Sequence, residues 1–324
     1  TGCTKTEKTG HQFLPINRVD SSVRPGTNFF RYVHGNWYDT VRIPPSQVGT
    51  GSFLDLIVKS NKALRQVCEE AANVHDAPLG SVEQRVGDLY TSFMDSVSIN
   101  NKGYAPLAPL FGKIQGLKNS EEMIRLVADE MSKGNSLLFN FNVGPDDKNS
   151  NVNIAFFSQG GLGLPDRDYY FKNDGETARV QEAYRAYLSS LFILTGSDSS
   201  TASKNATSVY EVEKKLASGH FTNVEVRDPQ KNYNKKATKD LNFPASALNW
   251  VSLLDGLRLK TDSIVISQPK FFEQLEKLLK AISIDQWQLY LKASTLTNYG
   301  FALSTPFTDA RFEFFGKTLY GQQQ

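Results

Sequence analysis

Apolar residues along most of this chain recur every three or four positions, and that spacing constrains the fold more than any other feature. Leu54, Ile57, Val58, Leu64, Val67 and Ala71 share one face of a helix that begins near residue 54. Ser81 with Gln84 three residues later makes a capping box. Val82, Val86, Leu89, Tyr90, Phe93 and Val97 follow it at helical spacing until Asn100, Asn101 and Gly103 end the run. A helix over about 120–133, capped by Ser120, carries Met123, Leu126, Val127 and Met131. The same pattern predicts helices over 176–195, 200–218, 269–282 and 284–303, and a short one between turns within 23–45.

The period changes once. "SLLFNFNVGPDDKNSNVNIAFFSQ" (136–159) sets two β-prone apolar runs around a Gly-Pro-Asp-Asp-Lys-Asn turn, which predicts a hairpin over about 137–158. Residues 221–248 read as irregular and basic. The fold class is therefore mainly α, a multi-helix region with one small β-hairpin.

Charge and apolar run length exclude two function classes. The 36 bases nearly balance 34 acids, with no basic stripe, so nucleic acid is not a partner. The longest apolar runs, such as "LFIL" (191–194), are too short to span a bilayer. Cys3 and Cys68 lie too far apart for a local metal knuckle; a long-range disulfide between them has no support, and Cys68 reads as a buried thiol on a helix face. "TGC" before the polar run "TKTEKTGHQ" resembles the end of a bacterial lipoprotein signal. That reading makes Cys3 a lipid attachment site and residues 1–20 a tether. It places the folded part, 21–324, on the periplasmic or cell-surface side of a bacterial membrane, anchored through lipid.

Catalytic constellations are absent from the sequence. None of His11, His34, His75 and His220 begins H-E-x-x-H, and no two lie three to five residues apart, as two imidazoles on one helix face would. There is no G-x-S-x-G elbow and no Walker loop. The pairs Asp146–Asp147 and Glu69–Glu70 read as solvated faces. "FSQGGLGLPDRDYYF" (157–171) looks like a site, yet "QGGLGLP" lacks the third glycine of a dinucleotide loop, and Pro165 with Asp166 falls where a helix should start. Its structural reading is a rigid junction. Gly161 and Gly163 let backbone pass close to neighbours. Leu162 and Leu164 plug the core, and Pro165 fixes the exit angle. Asp166, Arg167 and Asp168 make an ion-pair and capping set before Tyr169 and Tyr170 pack. Direct substrate contact is the alternative for this stretch.

Five segments, in order, resemble the neprilysin-like (M13) zinc metallopeptidases of bacterial endopeptidase type. They are "RPGTNFFRYVHGNWYDTVRIP", "GDLYTSFMDS", "NFNVGPDDKNSNVNIAFFSQGGLGLPDRDYY", "VRDPQKNYNKK" and "FEFFGKTLYG". The resemblance covers the N-terminal portion of that family from about residue 20 onward. It implies a wall of the substrate chamber in an enzyme that cleaves short peptides. It also implies a partner, the catalytic C-terminal half, where an H-E-x-x-H helix and a downstream glutamate hold zinc. The zinc would belong to the full-length protein, and this chain alone would bind none and be inactive. Gly26 and His34 stand where animal members carry disulfide cysteines, so His34 is a packed or surface residue. Gly49 stands where animal neprilysin has a carboxylate-clamping arginine, which favours plain endopeptidase action. The alternative is a non-catalytic helical surface lipoprotein that binds a ligand such as a glycan.

Overall fold

The structure, a computed structural model, describes residues 16–241 and 246–324. Cys3, His11 and most of the proposed tether lie outside the described residues. Internal contacts divide the chain into two units, one reaching to Glu70 and including Gly321–Gln324, the other Ala71–Tyr320.

In the first unit, α1 (Phe29–Thr40) starts where the Asn28 side chain accepts a hydrogen bond from the Arg31 amide at 3.0 Å. His34 lies against the rings of Phe30 and Trp37, at 5.3 and 6.4 Å between centroids. Helix α2 (Ser52–Ala72) buries only Ala71. Cys68 on α2 is half-buried rather than buried, because the face it shares has little cover among the described residues.

The second unit begins with α3 (Val82–Met94), capped by Ser81, and α4 (Ser96–Lys102). The periodicity runs through both, but the helix breaks at Asp95, whose carboxylate accepts from the Ser98 amide at 3.0 Å and starts a new one. Gly103 closes α4 with φ 57°. Helices α5 (Ala108–Gln115) and α6 (Ser120–Ser132) follow, and the α6 cap is Asn119, one residue before the expected Ser120.

Strands β1 (Asn140–Asp146) and β2 (Asn149–Ser158) form the hairpin, with Phe141 opposite Phe157. Then come α7 (Asp168–Phe171), α8 (Gly175–Leu194), α9 (Ser199–Ala217) and α10 (Pro229–Asn232). The segment read as irregular also holds β3 (Lys235–Ala237). After α11 (Trp250–Gly256), β4 (Ser263–Ile266) lies parallel to β2 and antiparallel to β3, giving a four-stranded sheet of order β1-β2-β4-β3. Helices α12 (Pro269–Ala281), α13 (Ile284–Tyr299) and α14 (Thr305–Arg311) lead into a π-helical stretch, Phe312–Leu319. The fold is mainly α, with a sheet larger than the expected hairpin. Both extra strands pair over long sequence distances, so no local pattern announces them.

Tyr170, Tyr184, Tyr290, Trp287, Phe139 and Phe157 are fully buried in one continuous core of this unit. The sheet also corrects one acidic pair. Asp147 is solvated, but Asp146 is buried and accepts from the Tyr233 hydroxyl at 2.7 Å, Lys235 Nζ at 2.8 Å and the Lys148 amide at 2.9 Å. These donors, Lys235 first, hold its carboxyl down to about 2.

Candidate functional site

The glycine-rich junction leaves β2 and threads the core of the second unit. Gln159 fixes its start by donating its amide to Gln268 Oε1 at 2.8 Å and accepting from the Phe221 amide at 2.7 Å. The Gly160 carbonyl accepts from His220 Nε2 at 3.0 Å. Gly161 has φ +76°, and a Cβ there would run into the Leu138 carbonyl and the Tyr290 hydroxyl. That hydroxyl contacts the carbonyls of Leu137 and Gly161 at 2.8 and 2.9 Å. Gly163 passes so near Tyr184 that a Cβ would occupy the space of its hydroxyl.

Leu164 is buried, Leu162 packs at the edge of the core, and Pro165 is exposed. Asp166 accepts from the Asp168 amide at 2.8 Å and from Asn223 Nδ2 at 2.7 Å. Arg167 lies 3.5 Å from Asp168, with its guanidinium over the Phe171 ring at 5.4 Å. The Tyr169 carbonyl accepts from Gln181 Nε2 at 2.8 Å. Tyr170 reaches back: its hydroxyl accepts from the Leu164 amide at 3.1 Å and donates to Glu213 Oε2 at 2.8 Å.

Glu213 is the residue that pattern reading passed over. Tyr184 donates to its other oxygen at 2.8 Å. Its sequence signal was present: Ala202, Ala206, Val209, Glu213 and Leu216 recur at helical spacing on α9, and all five are buried. A carboxylate in an apolar stripe must be hydrogen-bonded or neutral.

This junction lines a cavity of about 400 Å³, whose wall includes Tyr184, Glu213, His220 and Asn298. A second cavity of about 680 Å³ shares Leu162, Gly163, Thr297 and Asn298 with it. Burial pushes Glu213 up to about 7 and His220 down to about 4. It also drives the hydroxyl pKa values of Tyr170, Tyr184 and Tyr290 upward. The arrangement can therefore hold a proton at Glu213, and beside the Asp166 carboxylate it offers neutral hydrogen-bonding groups.

The model of peptidase family M13, N-terminal part, matches residues 25–324. The chain belongs to peptidase family M13. It is similar to endothelin-converting enzyme 1 of Rattus norvegicus, at 25% identity over 95% of this chain and 41% of that protein. Neprilysin of Mus musculus is 26% identical over 94% of this chain and 44% of its own length. Among solved structures, the Mycobacterium tuberculosis zinc metalloprotease Zmp1 in complex with inhibitor superposes with a TM-score of 0.89 at 27% identity, covering 96% of this chain and 48% of that one. This M13 chain thus spans under half the length of these relatives and corresponds to the N-terminal region of a zinc metallopeptidase.

The side chains described here do not fit the family's zinc. His34 packs among aromatics, His75 is exposed, and His220 is bound to the Gly160 carbonyl with its ring against Phe271. Among the described residues no group of three or more His, Cys, Asp or Glu is placed to hold a metal ion.

Proposed function

We propose that this chain is the N-terminal part of a zinc-dependent metalloendopeptidase that cleaves short peptides, and that its helices wall the substrate chamber. The carrying observation is a set of apolar helix faces left in solvent within an M13 chain that covers less than half of its relatives. On α2, Phe53 is 84% exposed and Leu64 62%, with Leu56, Ile57 and Val67 alongside. On α3, Val82 is 72% exposed, with Leu89, Phe93 and Met94 also in solvent. Several large apolar side chains exposed along one helix mark a face that another piece of protein covers. The covering piece is the catalytic half, which supplies the zinc ligands and the motif glutamate. Zinc held there would supply Lewis-acid polarisation of a peptide carbonyl and a bound water of lowered pKa; the residues of this chain contribute walls and exclude bulk solvent.

The proposed location is the periplasmic or cell-surface side of a bacterial membrane, through a lipid on Cys3. Its support is the "TGC" pattern. No helix among the described residues is long and apolar enough to cross a membrane. The family match lends no support to the alternative of a glycan-binding lipoprotein.

Metal titration tests the reading. The 324-residue chain alone takes up no stoichiometric zinc and hydrolyses no peptide, and joining it to the catalytic half produces both properties. Tight 1:1 zinc binding by the chain alone would overturn the reading.

A further inference from the structure

The peptidase reading leaves the buried carboxylate of Glu213 without a role. Its side chain is 3% exposed, and no ion pair to it exists among the described residues. The groups facing it are the hydroxyls of Tyr170 from α7 and Tyr184 from α8, and the Gly163 amide from the junction. Tyr290 from α13 and Tyr210 on α9 itself lie within its electrostatic reach, and the Arg185 guanidinium sits over the Tyr210 ring, 5.0 Å from its centroid. Asp166 and His220 line the same cavity wall. Every partner that touches the carboxylate is neutral.

These contacts form one knot. Glu213 holds Tyr170 and Tyr184 by their hydroxyls. Tyr170 holds the Leu164 amide, and Tyr184 fills the space that only a glycine at 163 leaves open. The knot grips the segment 160–164 at Gly163 and Leu164; the whole segment lines the first cavity, and Leu162 and Gly163 line the second as well.

The geometry points to Glu213 as a proton-operated latch. The neutral acid keeps residues 160–164 seated against Tyr170 and Tyr184, and loss of its proton to solvent favours lifting of that segment and reshaping of the two cavities. Only the carboxyl O–H bond breaks; the proton goes to water and nothing is oxidised. The physical reason is hydration. A carboxylate enclosed by neutral donors forfeits most of its solvation, and lifting the segment restores it. The protonated acid has no charge to hydrate: its O–H donates to the Tyr184 oxygen, the Tyr184 O–H turns to the cavity that its ring lines, and Tyr170 goes on donating to the other carboxyl oxygen.

The sign follows from linkage. Burial first, against the tyrosine and Gly163 hydrogen bonds, raises the seated carboxyl from 4.5 to about 7. The seated form therefore binds a proton between those values and the lifted form does not. The lifting equilibrium rises up to ~tenfold per pH unit across that window and levels off above it. The inference concerns Ala71–Tyr320 alone and does not depend on the peptidase reading.

Hydrogen exchange of the whole chain between pH 5 and 8, corrected for intrinsic exchange rates, tests it. In the wild type, opening of the amides of residues 160–164 rises ~tenfold per unit from about pH 5 to 7. Glu213→Gln, which mimics the neutral acid, shows no such rise. Tyr184→Phe removes a donor to the charged form, so the rise continues to higher pH; it serves as the second arm if the glutamine variant does not fold. Flat wild-type protection across the window, the same rise in Glu213→Gln, or an unmoved midpoint in Tyr184→Phe would overturn the latch.

Discussion

Helices α2 and α9 are near equals in length, at 21 and 19 residues, and both carry apolar stripes, yet their fates are opposite. Helix α9 buries eight residues, Leu216 and Val209 completely. Helix α2 buries one. Periodicity announces that a helix has an apolar face; it does not say which piece of protein covers it. For α9 the cover is α8, α12 and α13 of the same chain. For α2 we attribute it to polypeptide that the relatives possess beyond the span matched here.

Substitutions can break or sharpen that contrast. The largest effect belongs to the covered region at its tightest point. Gly163→Val forces two methyl groups into the Tyr184 hydroxyl and costs roughly 3 kcal/mol or more. Thermal denaturation reads this as a fall of about 2–4 °C per kcal/mol for a unit of this size. Leu216→Ala comes next, at about 2–5 kcal/mol, because its side chain leaves a cavity in a closed core.

An acid titration gives the third. The Asp146 carboxyl, at about 2, lies below its free value of 3.8. The unfolded chain therefore binds more protons between those values. The stability that Asp146 contributes is complete above 3.8 and disappears as pH falls to about 2. Melting temperature against pH should lose that acid limb in Asp146→Asn. Changing Asp39 to Asn in the exposed Arg31–Asp39 pair, 2.8 Å apart, alters the melting temperature little. The smallest effect is Leu64→Ala on α2, within about 0.5 kcal/mol in the chain alone. A core-sized loss there would mean that α2 is covered within this chain and would break the contrast.

Much of this fold was legible because helices declare themselves locally. Ser81 caps α3 by accepting from the Gln84 amide, with the Gln84 side chain accepting from the Gly80 amide in place of Ser81's, and the hairpin occupies the one stretch where the apolar period changes. What was not legible depended on distance. Strand β4 pairs with β2 from more than a hundred residues away, through Ala155 opposite Ile264, and three short residues of β3 complete the sheet. Asp146 looked solvated because its partners, Tyr233 and Lys235, come from that same distant segment. The break at Asp95 was hidden by apolar spacing that continues across it, while the local signal was the aspartate itself, a strong cap.

At the candidate site the glycines were visible and the reason for them was not. Gly161 and Gly163 stood out by composition, but Tyr290 and Tyr184, whose hydroxyls make glycine necessary there, arrive from α13 and α8, and Glu213, which holds Tyr184, from α9. Glu213 alone carried a readable clue, a charge in a buried stripe.

Hydrogen exchange over α2 and α3, in the chain alone and joined to the catalytic half, tests the central claim most directly. The account predicts that amides of both helices become markedly more protected on joining, while those of α9 barely change. Equal protection of α2 and α3 in the two states would show that no catalytic half covers these faces, and would contradict it.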